Sequence, residues 1–199
     1  MRYLDRSRSW TVTENDPDAL VHALYARDAS GLDVEMDDPI PALDPAAEVE
    51  DRFAVHATPE AAAEWPRWWQ TEVDLGLAPA PDQPDLWFAG RLVGPDLRAL
   101  LTQTAFAVNR WQRARQREHA DLLAHRTPSQ RLLVTHLVAE VERDLGRRAA
   151  AFNLKIGVLP VEGIWSCRPR VDHVLVSREL RGDDAAFRGF LAPIIRSLG

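Results

Sequence analysis

A chain of 199 residues, 46% hydrophobic and 27% charged with a net charge of −6, has the length and composition of one soluble globular domain with its own core. One cysteine, Cys167, excludes an internal disulfide and fits a reducing cytoplasm; the longest uncharged apolar-leaning stretch, 99–109, is too short to span a membrane, and the first residues lack the apolar run of a signal peptide. The charge is lopsided, with 6 basic against 19 acidic residues in 1–90 and 18 basic against 11 acidic in 91–199, so either the acidic half packs on the basic half or one of them faces an oppositely charged partner.

Taken in order, Trp10-Thr11-Val12-Thr13 alternates as a first strand after a frayed arginine-rich start. Asp16 as N-cap and Pro17 at the first helical position then open a helix whose apolar residues Leu20, Val21, Leu24 and Tyr25 recur at helical spacing, ending near Ser30-Gly31. From Asp28 to Asp51 there are nine acidic residues and no basic one, and Pro39, Pro41 and Pro45 keep most of this stretch out of helix. Alternation in Asp33-Val34-Glu35-Met36-Asp37 places three carboxylates on one face of an extended segment, a geometry open to a hard cation. The EF-hand pattern is not met, because Asp38 and Asp44 stand where glycine and glutamate belong. A solvated acidic loop that includes Asp33, Glu35, Asp37 and Asp38 and contacts a partner is the reading we carry forward, with no metal assigned.

Thr58-Pro59-Glu60 starts the next helix with a cap, a proline and an early acid, and Pro66 should interrupt it. Trp65, Trp68, Trp69 and Val73 fall on one side of that helix. Such a face is either a core contact or, given three tryptophans, a partner-binding patch. The proline-rich segment 76–85 reads as an extended linker, Leu86 to Val93 as a strand, and Gly94-Pro95-Asp96 as a turn.

From Gly94 to Ala151 the spacing predicts two long amphipathic helices joined by the turn His125-Arg126-Thr127-Pro128. Leu97, Leu101, Thr104, Val108, Trp111, Arg115 and Leu122 form the stripe of the first, and Arg115, Glu118 and His119 break its apolar character. An arginine placed to hold an anion, with a carboxylate and an imidazole to move protons, makes a candidate polar site; wet helix surface is the alternative. Arg110, Arg113 and Arg117 lie on the opposite side, either as a phosphate-contacting stripe or as a solvated face. Thr127, Pro128 and Gln130 suit the start of the second helix, whose apolar face is Leu133, Leu137, Val138, Val141, Leu145 and Ala149.

Three strands should follow as a β-meander: one through Leu154, Ile156 and Val158, one from Ile164 to Cys167, and one from Val171 to Ser177, with Arg168-Pro169-Arg170 as the second turn. A two- or four-residue loop there would set Cys167 opposite Asp172 and Ser166 opposite His173. Cys167 and His173 thereby become candidates for thiol chemistry, against the plainer reading of Cys167 as a small buried hydrophobe. Asp183 and Asp184 cap a last helix with the stripe Phe187, Phe190, Leu191, Ile194, Ile195 and Leu198, interrupted by Pro193.

The sequence therefore predicts a single α+β domain over residues 1–199, its acidic half (1–85) and basic half (86–199) joined through 76–85. Its sheet should be mostly antiparallel, ending in a C-terminal β-meander, and packed against a long α-helical hairpin and a C-terminal amphipathic helix. Lysine occurs once, at Lys155, against 23 arginines, the codon usage of a GC-rich bacterial genome rather than a nucleic-acid signature. No phosphate loop, dinucleotide glycine pattern, paired zinc motif or nucleophile elbow is present, so no cofactor is called for. The expected function is a non-catalytic bacterial cytoplasmic interaction module of the adaptor, chaperone or immunity kind, with a protein partner, homo-oligomerisation open, and neither nucleic acid nor membrane. The competing expectation is a small hydrolase or transferase with a pocket between hairpin and sheet.

Overall fold

Even-numbered residues along three strands are almost all apolar, and they form one wall. The computed structural model describes residues 2–4, 10–75, 93–124, 127 and 132–199. Among these are five strands: β1 (Arg2–Leu4), β2 (Thr11–Asn15), β3 (Asn153–Leu159), β4 (Ser166–Arg170) and β5 (His173–Ser177). Seven helices accompany them: α1 (Asp18–Ser30), α2 (Asp51–Ala54), α3 (Pro59–Leu75), α4 (Pro95–Ala124), α5 (Leu133–Leu145), α6 (Arg178–Gly182) and α7 (Asp184–Leu198). The chain divides into two compact units, one of Met1–Asp16, Ala120–Leu159 and Gly163–Gly199, the other of Pro17–His119 and Pro160–Glu162. Their boundaries do not coincide with the expected division at 76–85, and that segment, like most of the strand expected from Leu86, lies outside the described residues.

The first unit is built on a mixed sheet of order β1-β2-β3-β5-β4. β2, β3 and β5 run parallel at its centre, and β1 and β4 flank them antiparallel. This corrects the mostly antiparallel meander. β5 inserts between β3 and β4, so β3 finds a parallel neighbour instead of its successor in sequence. The start is also a paired strand, Tyr3 opposite Val12, and not a frayed end.

Val12, Leu154, Ile156, Val158, Val174 and Val176 share one sheet face and pack in a single core with Leu133, Val134, Leu137, Val138 and Val141 of α5 and Phe187, Leu191, Ile194 and Ile195 of α7. Burial of a whole aliphatic side chain contributes about 1.5–3 kcal/mol, so this layer is the main stabilising term of the unit. Asp183 caps α7 through the amides of Ala185 and Ala186, as its sequence predicts. The short α6 has no counterpart among the expected elements. Ser177 caps it, its hydroxyl accepting from Leu180 N at 3.1 Å.

Glu14 shares the core face with Val12, since alternate residues of a strand point the same way. Its Oε1 accepts from Arg181 Nε of α6 at 2.9 Å, and both side chains are almost fully buried. The Arg181 guanidinium also lies 4.5 Å from the centre of the Phe187 ring. A buried charge must be matched in this way, because leaving it alone among apolar groups costs several kcal/mol.

In the second unit α1 is the hub. Pro17 takes the N-cap position without a side-chain cap bond, one residue later than the expected Asp16, and Gly31 ends the helix in the left-handed region at φ 65°. Trp65 Nε1 of α3 donates to Ala23 O at 3.0 Å. From α4, Gln112 Nε2 donates to Asp18 O at 3.2 Å. His22 Nε2 donates to Leu101 O at 3.1 Å and lies 3.2 Å from Thr104 Oγ1. Burial holds His22 neutral, its pKa pushed down to about 3 against the partial opposition of the Leu101 bond.

Two expectations for the helices change. α3 continues through Pro66, which removes one backbone hydrogen bond, while the buried residues Trp65, Trp68 and Trp69 around it hold the helix in place. The two members of the expected hairpin belong to different units, α4 to the second as far as His119 and α5 to the first. The cap expected over Thr127–Gln130 falls mostly on 128–130, outside the described residues; α5 is described from Leu133.

Candidate functional site

The feature that the second unit presents outward is the acidic segment between α1 and α2. Its path is set by α1. Arg27 Nη1 and Nη2 donate to the carbonyls of Ile40 at 2.8 Å and Pro41 at 2.7 Å, while its Nε pairs with Asp28. Asp28 in turn accepts from Leu43 N at 2.7 Å. One ion pair thus holds three points of a segment whose prolines deny it a helix of its own.

Further anchors fix both ends and the middle. Leu32 N donates to Arg27 O at 2.9 Å where α1 terminates, and Glu50 N to Ala29 O at 3.0 Å where the segment returns. Ile40 and Leu43 are buried. Leu43 forms an antiparallel bridge with Val161, flanked by Asp44 N to Pro160 O at 2.8 Å and Glu162 N to Ala42 O at 2.9 Å. Phe53 of α2, 2% exposed, closes the far side.

With the backbone held, the carboxylates of Asp33, Glu35, Asp37, Asp38, Asp44, Glu48 and Asp51 all stand exposed, and Val34 and Met36 between them are half-buried. The alternation read from 33–37 is therefore the alternation of exposure. Like charges held at fixed positions create a local negative potential that a flexible chain would relax by spreading. Among the described residues no group of three or more His, Cys, Asp or Glu side chains is placed to hold a metal ion.

The other sequence-derived candidates fare differently. Trp65, Trp68 and Trp69 are 0%, 4% and 5% exposed, with Trp65 and Trp69 stacked at 5.4 Å. They are core, and the partner-binding role for them is corrected on that ground: a buried ring has no face to offer. Arg115 is half-buried with its guanidinium 5.8 Å from the Trp111 ring, whereas the side chains of Glu118 and His119 lie outside the described residues.

Cys167 is half-buried on β4 and His173 buried on β5. The ladder places Leu175 across from Cys167 and Val176 across from Ser166, with a bulge before Arg170 meets His173. The pairings expected from a turn at 168–170 are thereby corrected: those residues are strand, and the turn is Val171-Asp172. The thiol and the imidazole are not cross-strand neighbours.

Sequence reasoning missed one surface. Phe106 of α4 is 82% exposed, and Thr102, Gln103, Asn109, Arg110 and Arg113 around it on the helix are exposed too. A phenylalanine at the centre of a polar helix face is a departure from amphipathic patterning. The signal was available, because Phe106 falls off the Leu97-Leu101-Thr104-Val108 stripe. Against known proteins, the chain matches no family model, no curated protein and no solved structure.

Proposed function

We propose that the protein is a non-catalytic cytoplasmic interaction module whose acidic segment, through Asp33, Glu35, Asp37 and Asp38, receives a basic surface of a protein partner. The observation that supports this reading is the anchoring. Arg27 and Asp28 hold a segment rich in exposed carboxylates in one conformation, so a partner meets pre-arranged charge and the ordering entropy of the loop is already spent. Complementary potentials of this kind raise association rate and specificity. The tryptophans have no role in it.

The test is calorimetric titration with an arginine-rich peptide at low salt, comparing the native chain with D33N/E35Q/D37N. A control, E60Q/D74N/E179Q, removes the same charge from exposed positions elsewhere. We expect the segment variant to lose about tenfold or more in affinity while the control retains native binding. Equal losses in both would reduce the effect to net charge and end the proposal.

A further inference from the structure

The second unit carries, besides its acidic segment, a surface of opposite character. Phe106 stands almost fully exposed on α4 with Arg110 one turn on and Arg113 two turns on, all on the outward side of the helix. Phenylalanine and arginine so placed are the chemistry of an interface centre, an apolar anchor with cations on one side of it. Duplex nucleic acid is the poorer match for this face, because a bulky apolar ring at its centre adds nothing to contact with the phosphates of a stacked helix.

The occupant is indicated by what lies beside it. The Tyr25 ring of α1 lies 5.9 Å from the ring of Trp111, the neighbour of Arg110 on α4, and Glu50 N donates to Ala29 O, one turn further along α1, at 3.0 Å. The return end of the acidic segment and the basic stretch of α4 therefore both meet the C-terminal half of α1. The two ends of the segment are themselves close, since a Cβ on Gly31 would lie 3.9 Å from Val49 Cγ1. Val49 is exposed, as are Val55 and Phe106. A surface that is acidic on one side, basic on the other and dotted with exposed apolar groups is self-complementary under a two-fold rotation.

We propose that the Phe106-Arg110-Arg113 face of α4 docks the acidic segment of a second copy of the chain, and that the contact is made twice in a reciprocal pair. This rests on the acidic segment being a binding surface.

The experiment is sedimentation equilibrium on the full chain across concentration, at low salt and at about 1 M salt, where screening shrinks the Debye length to about 3 Å. We expect the native chain to dimerise at low salt and to weaken about tenfold or more at high salt. R110E/R113E and, separately, D33K/E35K/D37K should each weaken self-association about tenfold or more. An equimolar mixture of these two variants should recover a dimer, as should one chain carrying both sets of reversals. Far-ultraviolet circular dichroism verifies folding, and recovery on mixing shows that neither variant failed by misfolding.

A monomer at every concentration overturns the proposal, and so does a dimer indifferent to both reversals. A monomer that instead binds a DNA duplex through Arg110 and Arg113 would reassign the face to phosphate. If self-association fails while the arginine-rich peptide still binds the acidic segment, only this inference falls and the reading of the segment stands.

Discussion

His22 couples the stability of the second unit to acidity, because its imidazole is held neutral between α1 and the Leu101 carbonyl. Below about pH 6.5 the unfolded chain takes up a proton there that the folded chain refuses until about pH 3. Stability at this site is therefore complete above pH 6.5 and declines as the pH falls, by at most about 1.4 kcal/mol per pH unit. Urea titrations between pH 7 and pH 4 should show H22Q losing less stability over that range than the native chain. Parallel slopes in the two proteins would reject a buried neutral imidazole.

Trp65 and Glu14 make the same argument with packing and charge. Trp65→Ala should cost about 3–5 kcal/mol by equilibrium denaturation, since it removes a fully buried ring, its stack on Trp69 and its bond to Ala23. Glu14→Leu alone should cost about 3–5 kcal/mol by leaving Arg181 buried without its carboxylate, whereas Glu14→Leu with Arg181→Met should recover most of that loss. If the double variant is as unstable as the single one, the ion pair contributes more than mutual neutralisation.

Between elements, the start of α4 depends on a residue from α3. Glu64 Oε2 accepts from Gly94 N at 2.9 Å, and a Cβ on Gly94 would lie 2.0 Å from Glu64 Oε1. Gly94→Ala must displace that carboxylate, so we expect a loss of about 1 kcal/mol, the value of a helix cap, measured as a shift in the urea midpoint. The acidic segment has a comparable dependence on α1. Arg27→Ala frees the Ile40 and Pro41 carbonyls together, and limited proteolysis should then cut between residues 33 and 50 faster than it does in the native chain.

How much of this was legible in the sequence follows from range. The α1, α3, α5 and α7 faces, the Thr58 and Asp183 caps and the Gly31 terminator are local patterns, and each was readable from spacing within a few turns. Sheet order was not, because β2 and β3 are parallel neighbours bracketing all of α1 to α5, and alternation is blind to a partner so far along the chain. Arg168-Pro169-Arg170 reads as a turn because proline is rare in strands, and an edge strand is the place where it is tolerated. The exposed carboxylates were visible as composition. That Arg27 and Asp28 hold them in place was not, since an arginine at a helix end gives no sign of which carbonyls it will reach.

For the molecule as a whole, the connection from β2 to β3 has a kinetic consequence. Pairing Val12 with Leu154 requires closing a loop that contains nearly all of the second unit, whereas the contacts of α1 with α3 close far shorter ones. In pulse-labelled hydrogen exchange during refolding, amides of α1 and α3 should gain protection before those of β3. Simultaneous protection would mean that the sheet does not wait for the segment that separates β2 from β3 along the chain.

Pro169 then takes on a meaning beyond its rarity. β4 is the outer strand of the sheet, and there Pro169 supplies no N–H while a bulge breaks the register and Arg168 and Arg170 stand exposed. A neighbouring molecule that approached this border would find an interrupted ladder and two positive charges, so the sheet cannot grow from molecule to molecule along it. Concentrated protein is in this respect protected against fibre formation, and whatever assemblies it makes along that side must be held by side chains that salt and substitution can undo.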